Sequence, residues 1–412
     1  MIQLRDKYLC CGCEACVQVC PNHCITFKAD EEGFLYPIVD LESCIDCCQC
    51  ERVCPVINQG EKRKPLQSFA AKNPNEEERL KSSSGGLFIL LARKTIEYGG
   101  VVFGARFDNN WNVVHSYCET VEGIKPFMGS KYVQSRIGNN YLKVRQFLQN
   151  GRKVLFSGTP CQIAGLKRFL NKNYDNLLTV DLICHGVPSP AVWSQYVDEI
   201  EDNACNRNEK LLNNHFIIKD ISFRDKRYGW KNFCFAFSLA KASAVDKQDY
   251  ISLAQVHDKD PYFLGFNDHN LYLRPSCMRC HFRDLRSGSD ITLADFWGID
   301  TLLPELDDDK GVSMIMANTN KGMNVVKTIG VELHHVSFSD IVRRNPSISN
   351  NSIPSTPTID DICRYKIILD NKREYFFYDN IHSVSKRVFL LGKPGIKQRI
   401  KQLLRKIYHK LK

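Results

Sequence analysis

Apolar residues fall in short runs separated by glycine, proline and polar turns, and their spacing predicts a chain of alternating strands and helices. Ile25-Thr26-Phe27 and Tyr36-Pro37-Ile38-Val39 flank the turn Glu31-Glu32-Gly33 and read as two short strands. A polar linker over 58–66 leads to a strand at Ser68–Ala71, where a second domain begins. Leu87–Ile96 reads as a mostly buried helix ending at Gly99-Gly100, followed by strands at Val101–Phe107 and Val113–Tyr117 and a helix near Tyr141–Leu148. Lys153–Gly158 and Leu177–Ile183 are strands, each followed by a turn and a helix, the second helix spanning Ala191–Ile200. Cys161 and Cys184 stand at the carboxyl ends of these two strands, which predicts an α/β layer with a site at that edge. Residues 214–256 read as β-rich, with Ser222–Lys226 and Gly229-Trp230 at a turn, and 345–357 as a surface loop. At the end, Ile396, Ile400, Leu403, Leu404, Ile407, Tyr408 and Leu411 share one helical face and lysine and arginine the other.

Nineteen cysteines change this picture. Cys10, Cys13, Cys16 and Cys20 precede Pro21, and Cys44, Cys47, Cys50 and Cys54 precede Pro55, so both runs read C-x2-C-x2-C-x3-C-P. This is the bacterial ferredoxin pattern, in which the fourth cysteine of each run ligates the other run's cluster. It predicts one 4Fe-4S cluster on Cys10, Cys13, Cys16 and Cys54 and a second on Cys44, Cys47, Cys50 and Cys20. The rival readings are zinc, which prefers four ligands in pairs, and a disulfide knot, which needs an oxidising compartment. Cys11, Cys24 and Cys48 are read as small packing residues beside the clusters.

The length of 412 residues allows two or three domains, and 43% apolar with 25% charged residues is ordinary for a folded protein. The N-terminus lacks an apolar signal core and no run reaches the eighteen or so residues that span a bilayer, so a cytoplasmic location is expected. Ten basic residues and no acid lie in 386–412, equal to the whole net charge of +10. The rest is nearly neutral, which gives nucleic-acid binding no support.

Further candidates lie in the central part of the chain. Ser82-Ser83-Ser84-Gly85-Gly86 opens a helix and reads either as a phosphate cradle or as a plain serine N-cap. Lys131 and Tyr132 add a cation and a ring. Cys161 in a first helical turn is expected to have a lowered thiol pKa. Cys277 and Cys280 alone are a weak signal; with Cys161 and Cys184 they make a third set of four. Arg224 and Lys226 read as an anion site or as a solvated turn.

Ser84-Gly85-Gly86, Gly129-Ser130-Lys131-Tyr132, Thr159-Pro160-Cys161-Gln162, Cys184-His185-Gly186, the Cys277/Cys280 pair and Asp290-Ile291 through Gly298, in this order, resemble the family of coenzyme F-420 hydrogenase and dehydrogenase beta subunits, over roughly 66–320. The resemblance implies FAD in the central domain near Ser84, Gly85, Gly86, Lys131 and Tyr132, and a third 4Fe-4S cluster on Cys161, Cys184, Cys277 and Cys280. Cys118, Cys205, Cys234 and Cys363 match no motif and are read as packing residues. The fused ferredoxin module and basic tail look like bacterial relatives found with cell-surface polysaccharide biosynthesis.

The expected fold is therefore a two-cluster α+β ferredoxin-like module (1–58) fused to an α/β flavin-binding domain with lobes at 66–150 and 151–330, and an extension (331–412) ending in a basic helix. The expected function is an FAD-dependent iron–sulfur oxidoreductase that relays single electrons from a redox partner protein or ferredoxin and exchanges hydride with a small organic substrate. In this reading His185 protonates the substrate, hydrogen-bonds a cluster sulfur, or is structural. The alternatives are a non-catalytic electron-transfer subunit docking on a larger enzyme, and a scaffold that contacts a membrane surface peripherally through 393–412.

Overall fold

The two cysteine runs form a structural repeat in this computed structural model, which describes residues 1–3, 6–207, 216–241, 250–349 and 383–392. Gly12 and Glu14 of the first run have φ of 69° and 61°; Asp46 and Cys48, at the same positions of the second, have 49° and 55°. Each run then enters a short helix, α1 (Ala15–Val19) or α2 (Gln49–Arg52). Left-handed residues turn successive N–H groups toward the inside of such a loop, which suits an anion. Between the runs β1 (Ile25–Ala29) and β2 (Leu35–Val39) pair antiparallel, Ile25 opposite Val39, as the alternation predicts.

Polar linker residues lead into β3 (Gln67–Ala71), α3 (Glu76–Lys81) and α4 (Leu87–Glu97). The chain continues through β4 (Val101–Phe107), β5 (Val113–Cys118), α5 (Asn140–Gln149), β6 (Val154–Gly158), α6 (Pro160–Leu170), β7 (Leu177–Leu182) and α7 (Pro190–Arg207). An antiparallel sheet follows, β8 (Phe216–Asp225), β9 (Cys234–Lys241) and β10 (Tyr250–Val256), then α8 (Pro261–Asn267), β11 (Ile291–Asp295), β12 (Ser313–Ala317) and β13 (His334–His335).

One eight-stranded sheet runs in the order β13-β3-β12-β11-β7-β6-β4-β5, so the lobes expected on either side of residue 150 share it. Its centre, β4, β6, β7 and β11, is parallel. Parallel strands must be covered on both faces. Val101, Phe103, Val154 and Phe156 pack toward α5 and α6, while Val102, Leu155 and Val180 pack toward α4. The smaller sheet wraps Trp193 of α7 and Tyr262 of α8 with Phe223 and Phe235.

The cysteine module is seated on this domain through α1. Glu14 Oε1 accepts from the Ile137 N–H (2.8 Å) and Oε2 from the Gly138 N–H (3.0 Å), and Gln18 Oε1 accepts from the N–H groups of Tyr141 and Leu142 (2.9 and 3.2 Å). These amides lie at or just before the start of α5, where helical N–H groups have no internal partner. At the far end the helix Val384–Gly392 packs back on α7, with Arg387 Nη2 donating to Gln195 Oε1 (2.7 Å) and Ser383 Oγ to Glu199 Oε1 (3.0 Å). The basic helix expected over 393–412 and Cys363 lie outside the described residues, as does the side chain of Cys205 and the loop past residue 349. Cys118 packs beside the α4 core and Cys234 is fully buried, as expected. No helix among the described residues is long and apolar enough to cross a membrane.

Candidate functional site

The twelve cysteines expected as ligands lie in three neighbourhoods, the proximal, distal and inner quartets, with Cys54 near the first run and Cys20 near the second. In the proximal quartet, Cys16 lies within electrostatic reach of Cys10 and Cys54, and Cys13 of Cys16 and Cys54. In the distal quartet, Cys20, Cys44, Cys47 and Cys50 line one small cavity of about 20 Å³. Cys24 and Cys48 border that cavity, Cys24 Sγ lying 3.3 Å from Cys20 Sγ. Cys16 and Cys50 are near enough to interact, so the two quartets adjoin.

The inner quartet is built on the sheet edge. Thr159 and Gln162 form a capping box that starts α6, with Pro160 in its first turn, and this fixes Cys161 just beyond the end of β6. Cys184 follows β7, and Cys277 and Cys280 come from the turn before β11. Cys184 is within electrostatic reach of Cys277, Cys161 and Cys280. The expected lowering of the Cys161 thiol is not found: a hydrogen bond with Cys11, then burial, pushes it up. Burial pushes the Cys184 thiol up as well.

Amide groups are aimed at these sulfurs: Ile2 N–H at Cys50 Sγ (3.2 Å), Val187 N–H at Cys277 Sγ (3.4 Å) and Phe282 N–H at Cys280 Sγ (3.4 Å). Thiols are weak acceptors and thiolates strong ones, so the donors fit thiolates held by iron. Between the proximal and inner quartets stand Cys11, hydrogen-bonded with both Cys13 and Cys161, and the buried Arg274.

Beside the inner quartet a cleft of about 710 Å³ opens along the carboxyl ends of β6, β7 and β11, a size usual for ligand pockets. Cys184 and His185 line it, as do Ser82–Ser84, Gly86, Lys131 and Tyr132. His185 is exposed at the rim, its Nε2 2.8 Å from Asn270 Oδ1. The serine N-cap reading fails, because Gly86 (φ 76°) occupies the cap position of α4 without a side-chain hydrogen bond. The hydroxyls are engaged elsewhere: Ser82 Oγ donates to Glu78 O, Ser84 Oγ to Val312 O, and Ser83 Oγ accepts from Ser130 N–H. Gly85 donates its N–H to Ser313 Oγ.

Two lysines of the cleft region spend their amines on backbone. Lys131 Nζ donates to the carbonyls of Pro126, Met128 and Gly129 (2.8, 2.7 and 3.1 Å), and burial lowers its pKa to about 7. Lys226 Nζ donates to the carbonyls of Arg79, Ser84 and Lys310, and burial, with Arg224 nearby, lowers its pKa to about 7. The solvated-turn reading of Arg224 and Lys226 is therefore corrected: both are buried, because β8 carries them inward. Arg224 makes a two-pronged contact with Asp295 (3.0 and 3.3 Å), donates to the Tyr132 hydroxyl (3.1 Å) and lies 3.9 Å from the Phe233 ring centroid.

Sequence reasoning missed two cleft residues and met a third, Asp295, only as part of the motif from Asp290 through Gly298. His115 on β5 is stacked on Phe156 and bonds the Ser157 carbonyl (3.0 Å); burial lowers its pKa to about 4, so it stays neutral. Asp181, pushed up to about 6 by burial, accepts from Ser287 and Thr292 (2.5 Å each). Asp295 holds Arg224. An imidazole or a carboxylate set among the mainly apolar residues of a strand was the available signal for the first two.

Residues 151–341 match the family described as the C terminus of the coenzyme F-420 hydrogenase/dehydrogenase beta subunit, and residues 9–58 match the 4Fe-4S dicluster domain. The chain is similar to a subunit of the F(420)H(2) dehydrogenase of Methanosarcina mazei, 23% identical over 190 residues, 43% of this chain and 53% of that protein. It is also similar to the coenzyme F-420-dependent sulfite reductase of Methanocaldococcus jannaschii, 26% identical over 198 residues, 45% of this chain and 29% of that protein. The match thus spans about half of the first relative and under a third of the second. A solved chain of the F-420-reducing nickel–iron hydrogenase complex of Methanosarcina barkeri aligns at TM-score 0.44 and 15% identity over 71% of this chain and 91% of that one. The chain thus joins a 4Fe-4S dicluster domain to a segment that matches the C terminus of the coenzyme F-420 hydrogenase/dehydrogenase beta subunit.

Proposed function

We propose that this chain is an iron–sulfur and flavin-binding oxidoreductase subunit, with one 4Fe-4S cluster on each quartet and FAD in the cleft. When bound, the clusters carry single electrons and a flavin couples them to two-electron hydride chemistry. The observation that carries the reading is the unbroken line of cysteines. It runs from the distal quartet through neighbouring Cys50 and Cys16 to the proximal quartet, across Cys11 to Cys161, and ends at Cys184 on the cleft wall.

The residues of the cleft fit the two ends of such a cofactor. The first turn of α4, from Gly86, brings unpaired N–H groups and a positive helix end to the cleft, suited to a diphosphate. Tyr132, Phe263 and Trp297 offer apolar surface for a ring. Arg224 with Asp295, and Lys131 with its three carbonyls, hold the walls in place. In this reading His185 at the rim passes a proton to or from a substrate, and His115, elsewhere on the cleft wall, stays neutral.

Both curated relatives are named for coenzyme F-420, so a reduced deazaflavin is the first hydride donor to try. One relative is named as a subunit. That favours, as a second reading, an electron-transfer subunit that meets its substrate only through a partner enzyme. Anaerobic purification and reconstitution with iron, sulfide and FAD decides between them. About twelve irons and one flavin per chain supports the proposal. About eight irons and no flavin leaves a dicluster ferredoxin on a docking domain and overturns it.

A further inference from the structure

Arg274 is 0% exposed, yet none of its hydrogen bonds goes to a carboxylate. Its Nε donates to Cys10 O (2.7 Å), Nη1 to Gln134 Oε1 (2.8 Å), and Nη2 to Leu35 O (2.9 Å) and to Cys10 Sγ (3.6 Å). The guanidinium also lies 4.4 Å from the Tyr36 ring centroid, and Cys10, Cys11 and Cys277 are within its electrostatic reach. A buried cation needs a counter-charge. The sulfurs nearest to it are Cys10 of the proximal quartet, Cys277 of the inner one and Cys11 between them, with the Glu14 carboxylate also within electrostatic reach; four thiolates on a bound cluster would add the larger negative charge.

We propose that Arg274 is a positioning residue that raises the reduction potential of the proximal cluster, through its fixed charge and its N–H···S bond to Cys10. The inference rests on the cluster assignment of the preceding subsection. A cubane with four thiolates is anionic, and reduction adds one further negative charge, taken from a one-electron donor that is oxidised in the same step. A fixed positive charge therefore stabilises the reduced form more than the oxidised one, and hydrogen bonds to ligand sulfur act in the same direction. Burial removes the solvent that would screen the charge. Arginine cannot lose its proton, and its planar fork serves four acceptors at once, which a lysine ammonium cannot reproduce.

The test is an anaerobic potentiometric titration of the reconstituted full chain, followed by electron paramagnetic resonance. Wild type, Arg274→Gln and Arg274→Lys are compared, with Cys10→Ser used to identify the proximal signal. In Arg274→Gln the proximal cluster is expected to lose at least tenfold in its equilibrium for reduction, about 59 mV downward for a one-electron couple, while the other potentials hold. Arg274→Lys falls between. Unchanged potentials in either variant at wild-type iron content overturn the inference. A measurement independent of folding uses wild type grown with isotopically labelled arginine: the reduced proximal cluster should show coupling to a labelled nitrogen, and its absence is equally fatal. Wild type lacking a proximal signal altogether would instead bring down the cluster assignment.

Discussion

Glu14→Ala tests whether the cysteine module is held rigidly against the domain that carries the cleft. Glu14 is 8% exposed and accepts the N–H groups of Ile137 and Gly138. Alanine leaves both amides without an acceptor, and a buried donor so orphaned costs about 1–3 kcal/mol. Ile137 is fully buried and bears most of the cost, whereas Gly138 is exposed and water replaces the lost oxygen. Set against this is the burial of the carboxylate, which raises its pKa and is relieved by the substitution. The net is about 2 kcal/mol, or about 30-fold in the local opening equilibrium at 1.4 kcal/mol per decade. Hydrogen-exchange mass spectrometry on peptides covering 134–149 reads that change directly. Glu14→Gln, which keeps one acceptor for Ile137, should lose less. Exchange within about threefold of wild type, at equal iron content, would show that the α1 contact does not hold the module.

Three further outcomes are expected. Asp260 is fully buried, bonds Tyr196 and Phe263, and has its pKa raised to about 7 by burial. Its folded pKa exceeds its unfolded one, so its stability contribution is full at low pH and is lost as pH rises through about 7. Urea unfolding should show wild type losing about 3 kcal/mol relative to Asp260→Asn between pH 5 and 8, and a constant difference refutes this. Cys184→Ser should hold about eight irons instead of about twelve, the loss confined to the inner quartet; full iron content would remove Cys184 from the ligand set. Arg224→Leu should cost about 3–5 kcal/mol by taking from Asp295 its two-pronged ionic partner and leaving it the Trp230 Nε1–H as donor. Adding Asp295→Asn should restore much of it in chemical denaturation, and simple additivity of the two changes would sink the pairing argument.

Local signals carried the cysteine module. Its ligand spacing, its hairpin and its crossed fourth cysteines all lie within 58 residues. The strand–turn–helix units at 153–166 and 177–200 were equally plain, because buried parallel strands are apolar throughout. The order of the large sheet was not legible: β12 pairs antiparallel with nearby β11, but β3 pairs with β12 and β13 across more than two hundred residues, for which no local pattern exists. The serine run misled because hydroxyls that suit a helix cap bond other backbone just as well. Lys131, Lys226 and Arg224 carry charges that the sequence offers to a ligand, and the fold spends them on carbonyls and on Asp295. Arg274 lies three residues before Cys277, and nothing in its flanking sequence marks it as the contact between distant quartets.

The backbone repeat within the cysteine module has one asymmetry. Aspartate stands at position 46, so the left-handed conformation alone does not demand glycine at the matching position 12. Crowding adds to the positive φ there: a Cβ on residue 12 would lie 2.7 Å from both Arg274 Nη1 and Gln134 Nε2, and these side-chain ends would have to shift to admit it. A module whose halves are interchangeable in backbone is thereby keyed, since only the glycine-bearing half can be pressed against the larger domain. An absent methyl group thus works with Glu14 and Gln18 to set which half faces the larger domain, and the half that keeps its side chain, with Asp46 exposed, faces outward.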